Sequence, residues 1–514
     1  MSLDLLTEDW DVVVIGTGMG GGTIGRVLAT GGMRVLFVEK GPRGHRSERQ
    51  ALHSEVFTPE ARNLRGFWPT PICATIDGQK SEFFAPLGSG VGGSSAFYAA
   101  TLERPERHDL DGHPHAKWPV SFDEMESWYT QAEAMFHVCG APDPLSPEPQ
   151  SALKQAPELD ASDAALMTEM EARGLHPYRL HSALRYVEGC HSCLGSKCPK
   201  PCKMDGRSAG VEPALASGNA ALLDRTEVAS IQRENDAVTT LKLMRDGVEH
   251  HMNAKRVILA GGALGSAHLL LKSEPDGLAN SSGLVGRNLM FHLNEMFALW
   301  PKRKVDGDTT SKAISLRDLY HQKGQRFGTV QSMGIAAGYG EVLHYLRLML
   351  GRSSFRRLPF INDLLRIPAG IAVNMLGNAK VFVGLLEDFG YRENRVRYNP
   401  DKPDILHIEY TLAPELKQRR KAFRKAIRKA FRKHRKLFLS LQPELNFGHP
   451  CGTLRFGDDP KTSVLDRNCK AHDLSNLWVV DSSFMPTSFG VNPSLTIAAN
   501  ALRVGTHILQ EAHK

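Results

Sequence analysis

His449 and Asn492 are the residues of this sequence best placed to do chemistry. His449 stands in the glycine- and proline-rich run Asn446 to Thr453 (NFGHPCGT), a poor place for a core histidine. Its imidazole titrates near neutral pH, which suits a proton transfer. Asn492 and Pro493 open an apolar run that reads as a helix, with proline fitting the first turn. The N-terminus of that helix offers N–H groups and a positive dipole end to developing negative charge. A carboxamide beside it can orient a reacting oxygen. Asp481 follows a strand-like run, Leu477 to Val480, and suits a hydroxyl. Taken singly, His449 could be a loop hydrogen bond and Asn492 a helix cap. Their company in one block favours chemistry.

A second constellation is Cys190, Cys193, Cys198 and Cys202, which hold half of the eight cysteines as C-x2-C-x4-C-x3-C. Four thiolates this close can wrap an iron–sulfur cluster or zinc. Local disulfides, or a cysteine-rich turn without metal, are the other readings. The spacing matches neither a zinc ribbon nor a bacterial ferredoxin.

The element that must position a ligand lies at the other end of the chain. Val12 to Ile15 reads as a buried parallel strand, and Gly16, Gly18 and Gly21 follow as G-x-G-x-x-G. Glycines there permit the tight turn, the approach of a pyrophosphate and close helix packing. Arg34 to Val38 is a second strand, ending in Glu39, whose carboxylate can accept both hydroxyls of an adenosine ribose. This is a dinucleotide site, for FAD or NAD.

Other segments support it. Gly88 to Ser95 is a glycine- and serine-rich loop whose Gly92, Gly93 and Ser94 can form a nest for phosphate or flavin oxygens. Lys255 to Lys272 reads as strand, glycine turn at Gly261–Gly262, and helix. Trp118 to Gly140 is an amphipathic helix with Ser121 as N-cap and Glu124 at capping-box spacing.

The chain has 514 residues and a net charge of +7, yet twelve Lys or Arg and no acid lie between Lys417 and Lys436, so the remainder carries 7 − 12 = −5. One basic helix, 415–438, in a mildly acidic protein argues against nucleic-acid binding. It suits an anionic membrane surface or an acidic redox partner, or simply a solvated face. Apolar segments at Leu343 to Leu350 and Leu358 to Leu376 agree with peripheral membrane contact. The N-terminus lacks a signal-peptide pattern and no apolar run reaches membrane-span length, so the expected location is cytoplasmic, or peripheral to the inner face of a membrane.

On these motifs the sequence resembles the glucose–methanol–choline (GMC) family of FAD oxidoreductases. The glycine motif with Glu39, the loop GSGVGGSSAFYAATLERP, Val228 in TEVASI, KRVILAGGALGSAHLLLKS, GLVGRNLMFHLN, HPCGTLRFG and the block around Asn492 all carry the resemblance. It implies a mixed α/β (α+β) fold. A Rossmann-like FAD-binding domain (1–105, 203–300 and 445–514) joins a substrate or cap domain (106–202 and 301–444) built on an antiparallel sheet with helices. It implies FAD contacts from Gly16, Gly18, Gly21, Glu39, Gly92, Gly93, Ser94, Tyr98, Val228, Gly261, Asp481 and Pro493. It also implies that His449 is the base and Asn492 orients an alcohol, whose hydride passes to flavin N5 to give an aldehyde or ketone. The family's covalent-histidine and Asn positions are here Phe97 and Tyr98, which implies non-covalent FAD. A cluster on the four cysteines would favour a quinone or redox-protein acceptor over O2. The apolar segments suggest an apolar or bulky alcohol. An FAD-containing lyase and an O2-using alcohol oxidase of the same family are the alternatives.

Overall fold

Val12–Ile15 and Val35–Val38 are apolar and buried at every position, as strands covered on both faces must be. The computed structural model describes residues 3–44, 59–150, 152–190, 193–302, 312–322, 324–334, 342–343, 346, 350, 364–377 and 379–512. In chain order, the elements that matter to the site are β1 (Val12–Ile15), α1 (Met19–Thr30), β2 (Val35–Val38), α2 (Phe122–Met135), β3 (Ala220–Leu223), β4 (Thr226–Glu234), β5 (Val257–Leu259), α3 (Gly262–Ser273), β6 (Leu293–Trp300), β7 (Ile314–Leu316), β8 (Val330–Ser332), α4 (Arg366–Leu376), β9 (Lys380–Leu386), α5 (Pro414–Ala430), β10 (Arg435–Phe438), β11 (Leu477–Val479) and α6 (Ser494–Ala512).

Five of these strands form a parallel sheet in the order β11-β5-β1-β2-β3. The register sets Val13 beside Val257 and Val257 beside Leu477, so the two ends of the chain meet within one sheet. Parallel neighbours need long crossovers. Here the crossover between β5 and β11 holds nearly all of a second sheet. That sheet is antiparallel, in the order β10-β6-β9-β8-β7 followed by Tyr178–Arg179. On it, Phe297 of β6 stacks with Phe382 of β9 at 5.9 Å between ring centres. The apolar stripe of α5 seals this layer, because Leu416, Phe423 and Ile427 are fully buried. The fold is thus the mixed α/β arrangement expected, a parallel nucleotide-type sheet beside an antiparallel one.

Some local readings hold closely. Ser121 caps α2 and Glu124 closes the capping box. The strand–glycine–helix unit at 255–272 forms β5 and α3. The basic helix does not run from 415 to 438. It ends at Ala430, and Arg435–Phe438 becomes edge strand β10, paired antiparallel with β6. Phe431 is buried where the helix stops, and Lys436 Nζ donates to the Phe431 carbonyl at 2.8 Å. Beyond that point exposure alternates residue by residue, a strand period that outweighs helix propensity once β6 offers its edge. Of the two apolar segments expected at 343–350 and 358–376, residues 344–345, 347–349 and 358–363 lie outside the described residues. The second segment supplies α4. Among the described residues, no helix is long and apolar enough to cross a membrane.

Candidate active site

One continuous cavity of about 1450 Å³ runs from the first glycine turn to the C-terminal block. At one end, Gly16 adopts φ +98°, and a Cβ there would stand 2.5 Å from the Ala260 carbonyl oxygen, so only glycine makes this turn. Gly18 faces the cavity, and a Cβ on it would have only the Gly93 Cα for company, at 4.0 Å. Gly21 packs the start of α1 onto the turn, with a Cβ placed 2.1 Å from the Gly16 oxygen.

Glu39 sits at the end of β2, buried, and its Oε2 accepts from the Thr17 amide (3.1 Å) and hydroxyl (2.6 Å). Oε1 accepts from the Gly41 amide at 3.1 Å. Burial pushes this carboxyl above its usual range, partly offset by those donors. Thr17 also accepts from the Gly92 amide at 3.2 Å, so its hydroxyl joins the first turn to the glycine–serine loop. The motif reading passed over Thr17 because it is a variable position of G-x-G-x-x-G. The loop itself is braced by its own serines: Ser94 accepts from the Gly88 amide (2.9 Å) and Ser95 donates to the Gly92 carbonyl (2.6 Å). Val228, on β4, lines the cavity beside Glu227, which pairs with Lys40 (3.0 Å) and Lys272 (3.4 Å).

Two of the expected cofactor residues line the cavity and also hold protein contacts. Asp481 lines the cavity, but its oxygens accept from the Gly262 amide (2.9 Å), the Ser483 amide (2.9 Å) and the hydroxyls of Ser266 and Ser483. That occupies the four lone-pair sites of a carboxylate. Asp481 therefore braces the Gly261–Gly262 turn against the C-terminal block at the cavity wall. Tyr98 also lines the cavity, yet its hydroxyl donates to the Met204 carbonyl, so it presents a ring and not a free phenol.

At the far end, the Asn446 and Gly448 stretch turns His449 toward the cavity. His449 Nδ1 lies 3.1 Å from His292 Nδ1 and 3.1 Å from Asn446 Nδ2. His292 is fully buried, and its Nε2 stands 3.0 Å from the Phe489 carbonyl. A carbonyl can only accept, so His292 Nε2 carries a hydrogen. Burial holds the His292 pKa down to about 4, so the ring is neutral and its Nδ1 is a lone pair. His449 Nδ1 therefore stands between an acceptor, His292 Nδ1, and a donor, the Asn446 Nδ2 amide, whose Oδ1 is taken by the Gly448 amide at 3.0 Å; in the tautomer with hydrogen on Nδ1 toward His292, His449 carries its lone pair on Nε2. Burial, the His292 ring and the Lys312 ammonium together hold His449 well below the ordinary imidazole range. His292 was hidden in sequence within an otherwise apolar stretch, LMFHL.

Asn492 is 7 % exposed, and its Oδ1 is buried with no hydrogen-bond partner among the described residues. Gln331 Oε1, also in the cavity wall, is orphaned in the same way. A buried acceptor without a donor is costly, so these atoms fit a bound molecule that supplies donors. Pro493 and Ser494 line the same cavity, and the Pro493 carbonyl accepts from the Ile497 amide at 3.0 Å, which starts α6 there. Phe489, whose carbonyl orients His292, lies three residues before Asn492, so the ring pair and the helix start are joined by one short loop. Lys312 completes this end, and burial lowers its pKa to about 8. Beyond these polar groups the wall is apolar, with Met296, Met333, Val381, Val383 and Leu385.

The metal reading of the four cysteines finds no support. None of the eight cysteines is joined in a disulfide. Among the described residues, no group of three or more His, Cys, Asp or Glu is arranged to hold a metal ion. Cys198 Sγ lies 3.3 Å from Cys202 Sγ, and Cys202 Sγ 3.9 Å from Cys190 Sγ. The centre of the loop is taken by Lys203, whose Nζ donates to the carbonyls of Ala96 (2.9 Å), Cys193 (3.1 Å) and Ser196 (2.5 Å). That ammonium ties the cysteine loop to the glycine–serine loop and places Leu194, Gly195 and Ser196 in the cavity wall.

The whole constellation fits FAD. A buried carboxylate at the end of β2 faces the adenosine side, a glycine turn leads into a helix, and unpaired acceptors wait at the far end. Comparisons with known proteins agree. The N-terminal sequence model of the GMC oxidoreductase family matches residues 12–294 and the C-terminal one residues 391–501. The chain is 28 % identical to paromamine 6'-oxidase of Streptomyces fradiae, over 96 % of this chain and 90 % of that protein. It is 27 % identical to 2-methyl-1,2-propanediol dehydrogenase of Mycolicibacterium austroafricanum, over 98 % of this chain and 95 % of the relative. The crystal structure of pyridoxine 4-oxidase from Mesorbium loti superposes with a TM-score of 0.63 at 18 % identity, covering 98 % of this chain and 100 % of the other. The chain belongs to the GMC oxidoreductase family and is an FAD-dependent oxidoreductase.

Proposed function

We propose that the protein oxidises an alcohol to an aldehyde or ketone, with His449 as the base and Asn492 orienting the alcohol oxygen. Bound FAD supplies the two-electron acceptor for this oxidation. The observation that carries the reading is the placement of His449 and the buried, unpartnered Asn492 Oδ1 in the wall of one cavity, where the His449 tautomer with hydrogen on Nδ1 toward His292 offers Nε2 as the base. A neutral imidazole held below its usual range stays available as a base at neutral pH. The Asn492 carboxamide can donate through Nδ2 to the same oxygen as its proton leaves. The Lys312 ammonium contributes positive charge where an alkoxide would develop. The methionine, valine and leucine wall past these groups favours an alcohol with an apolar or bulky body. Family relatives named paromamine 6'-oxidase and 2-methyl-1,2-propanediol dehydrogenase support the reaction class.

The test is an anaerobic panel of alcohols mixed with the yellow holoenzyme. We expect loss of flavin absorbance with at least one apolar alcohol. Absence of bleaching across primary, secondary, aryl and long-chain alcohols would reject oxidation and favour non-redox cleavage. Exposing the reduced enzyme to air, and separately to a quinone, identifies the acceptor.

A further inference from the structure

Ten large apolar side chains are exposed among the described residues, and six of them gather in one place: Leu364, Ile367, Ile371, Met375, Leu437 and Leu441. Ile367, Ile371 and Met375 recur every four residues along α4 and so share one face. They are 64 %, 56 % and 56 % exposed. The opposite side of α4 is anchored, since Leu376 packs with Ala298, Ala379 and Trp300. Such a stripe, turned to water on a firmly seated helix, marks an interaction face.

Three of these residues have a second property. Met375, Leu437 and Leu441 also line the cavity that holds His449, so the apolar face is the rim of its mouth. The rim is edged with positive charge. Arg435 lies over the Trp300 ring at 4.4 Å, on the same strand as Leu437, and Arg432 and Lys433 are exposed in the turn before it. Further along α5, Lys421 and Lys425 are exposed, with no ion pair among the described residues.

We propose that the outward face of α4 and the rim Leu437–Leu441 dock on an anionic lipid bilayer, so that the cavity opens into the acyl region and receives an apolar alcohol from the lipid. Apolar side chains entering the interface beside a polybasic edge are the combination that holds peripheral proteins on anionic leaflets. A protein partner or second copy seated on this face would cover the mouth, whereas lipid leaves it open to apolar solutes. The docking step itself does not depend on the alcohol-oxidation reading, though the route of the substrate does.

The experiment is sedimentation of the FAD-loaded enzyme with vesicles of phosphatidylcholine containing phosphatidylglycerol, against pure phosphatidylcholine. We expect binding to the anionic vesicles, weakened by about tenfold or more when salt rises from low to molar concentration. The Ile367→Glu/Ile371→Glu variant is expected to lose about tenfold or more of this binding. It should keep wild-type flavin absorbance and anaerobic reduction by a short water-soluble alcohol. Arg432→Glu/Lys433→Glu, on exposed sites where folding is not at stake, should weaken binding to anionic vesicles only. Wild-type enzyme that stays in the supernatant with both vesicle types overturns the proposal. So does full binding by both double variants. A dimer in sedimentation velocity that Ile367→Glu/Ile371→Glu converts to monomer, with vesicle binding unchanged, would assign the face to a second copy instead. Flavin bleaching without vesicle binding would refute docking and leave the oxidation reading intact.

Discussion

His292 Nδ1 stands 3.1 Å from His449 Nδ1, and as an acceptor there it competes with the Asn446 Nδ2 donor, also at 3.1 Å, to draw the His449 hydrogen onto Nδ1 and leave Nε2 as the base. Replacing His292 with Phe removes the acceptor and frees His449 to adopt the other tautomer. We expect kcat to fall about 10²-fold, with KM changed little, because only the proton transfer is lost. His292→Asn restores a carbonyl acceptor and should recover part of the rate. A structural loss alone would show equal damage from both variants, in steady-state turnover and in thermal midpoint.

The acid limb of the pH–rate profile reports His449. Its pKa is depressed, so kcat/KM should stay level through neutral pH and fall only well below pH 6.5. Lys312→Met removes a positive charge that opposes protonation of the ring. The inflection should therefore move to higher pH. A profile unchanged by Lys312→Met would remove Lys312 from the site's electrostatics.

Asp388 should make stability fall as pH rises. It is fully buried and accepts from the Tyr410 hydroxyl and the Phe291 amide, and burial pushes its pKa up to about 7. An acid with a raised folded pKa holds its proton in the folded state after the unfolded chain has lost it. Stability attributable to it is present below about pH 4 and is lost progressively up to about pH 7. Asp388→Asn removes this penalty, so its thermal midpoint relative to wild type should rise between pH 4.5 and 8. The gain is of the order of 2–4 kcal/mol at most.

Thr17 links Glu39 to the glycine–serine loop through one hydroxyl. Thr17→Val keeps the volume and deletes both bonds. FAD affinity, read by equilibrium dialysis of the holoenzyme, should drop about tenfold. Glu39→Gln should reduce it by a similar factor, because a carboxamide has one acceptor oxygen where the carboxylate has two, and cannot serve the Thr17 amide and hydroxyl, the Gly41 amide and a ribose hydroxyl together. Wild-type affinity in both variants would move the adenosine site elsewhere.

Phe97 and Tyr98 offer no nucleophilic nitrogen to the cofactor, and the Phe97 ring is stacked on Phe67 at 4.0 Å. Acid precipitation should therefore leave a white pellet and a yellow supernatant. A yellow pellet would show a covalent bond.

Much of the cofactor end was legible in sequence because it depends on backbone rules. Gly16 declares a positive φ, and a short all-apolar run followed by glycines declares a buried parallel strand turning into a helix. His449 and Asn492 were legible for the same reason, since both sit beside Pro and Gly at element boundaries. The groups that tune them were not. His292 lies in a buried apolar segment, Thr17 at a variable motif position and Lys312 in an unpatterned stretch. Each acts through a tertiary contact that leaves no local period. Asp481 was singled out by its position after a strand, but its bracing role left no local mark: four donor groups on Gly262, Ser266 and Ser483 bond its oxygens. The basic stretch misled at its C-terminal end because the open edge of β6 recruited Arg435–Phe438 into a sheet.

The register that places Val257 beside Leu477 bears on biosynthesis. A ribosome making this chain will have released the glycine turn, Glu39 and the whole antiparallel sheet before it makes β11 and α6. Until then β5 has an unpaired edge, and the cavity lacks the wall that carries Asn492. The nascent protein thus carries an open apolar trough from the making of β5 until that of β11, more than two hundred residues later, a state prone to misassociation. FAD can be gripped at both ends only once β11 and α6 have been made. Cofactor supply after α6 has emerged, and not earlier in elongation, should therefore limit the yield of soluble enzyme.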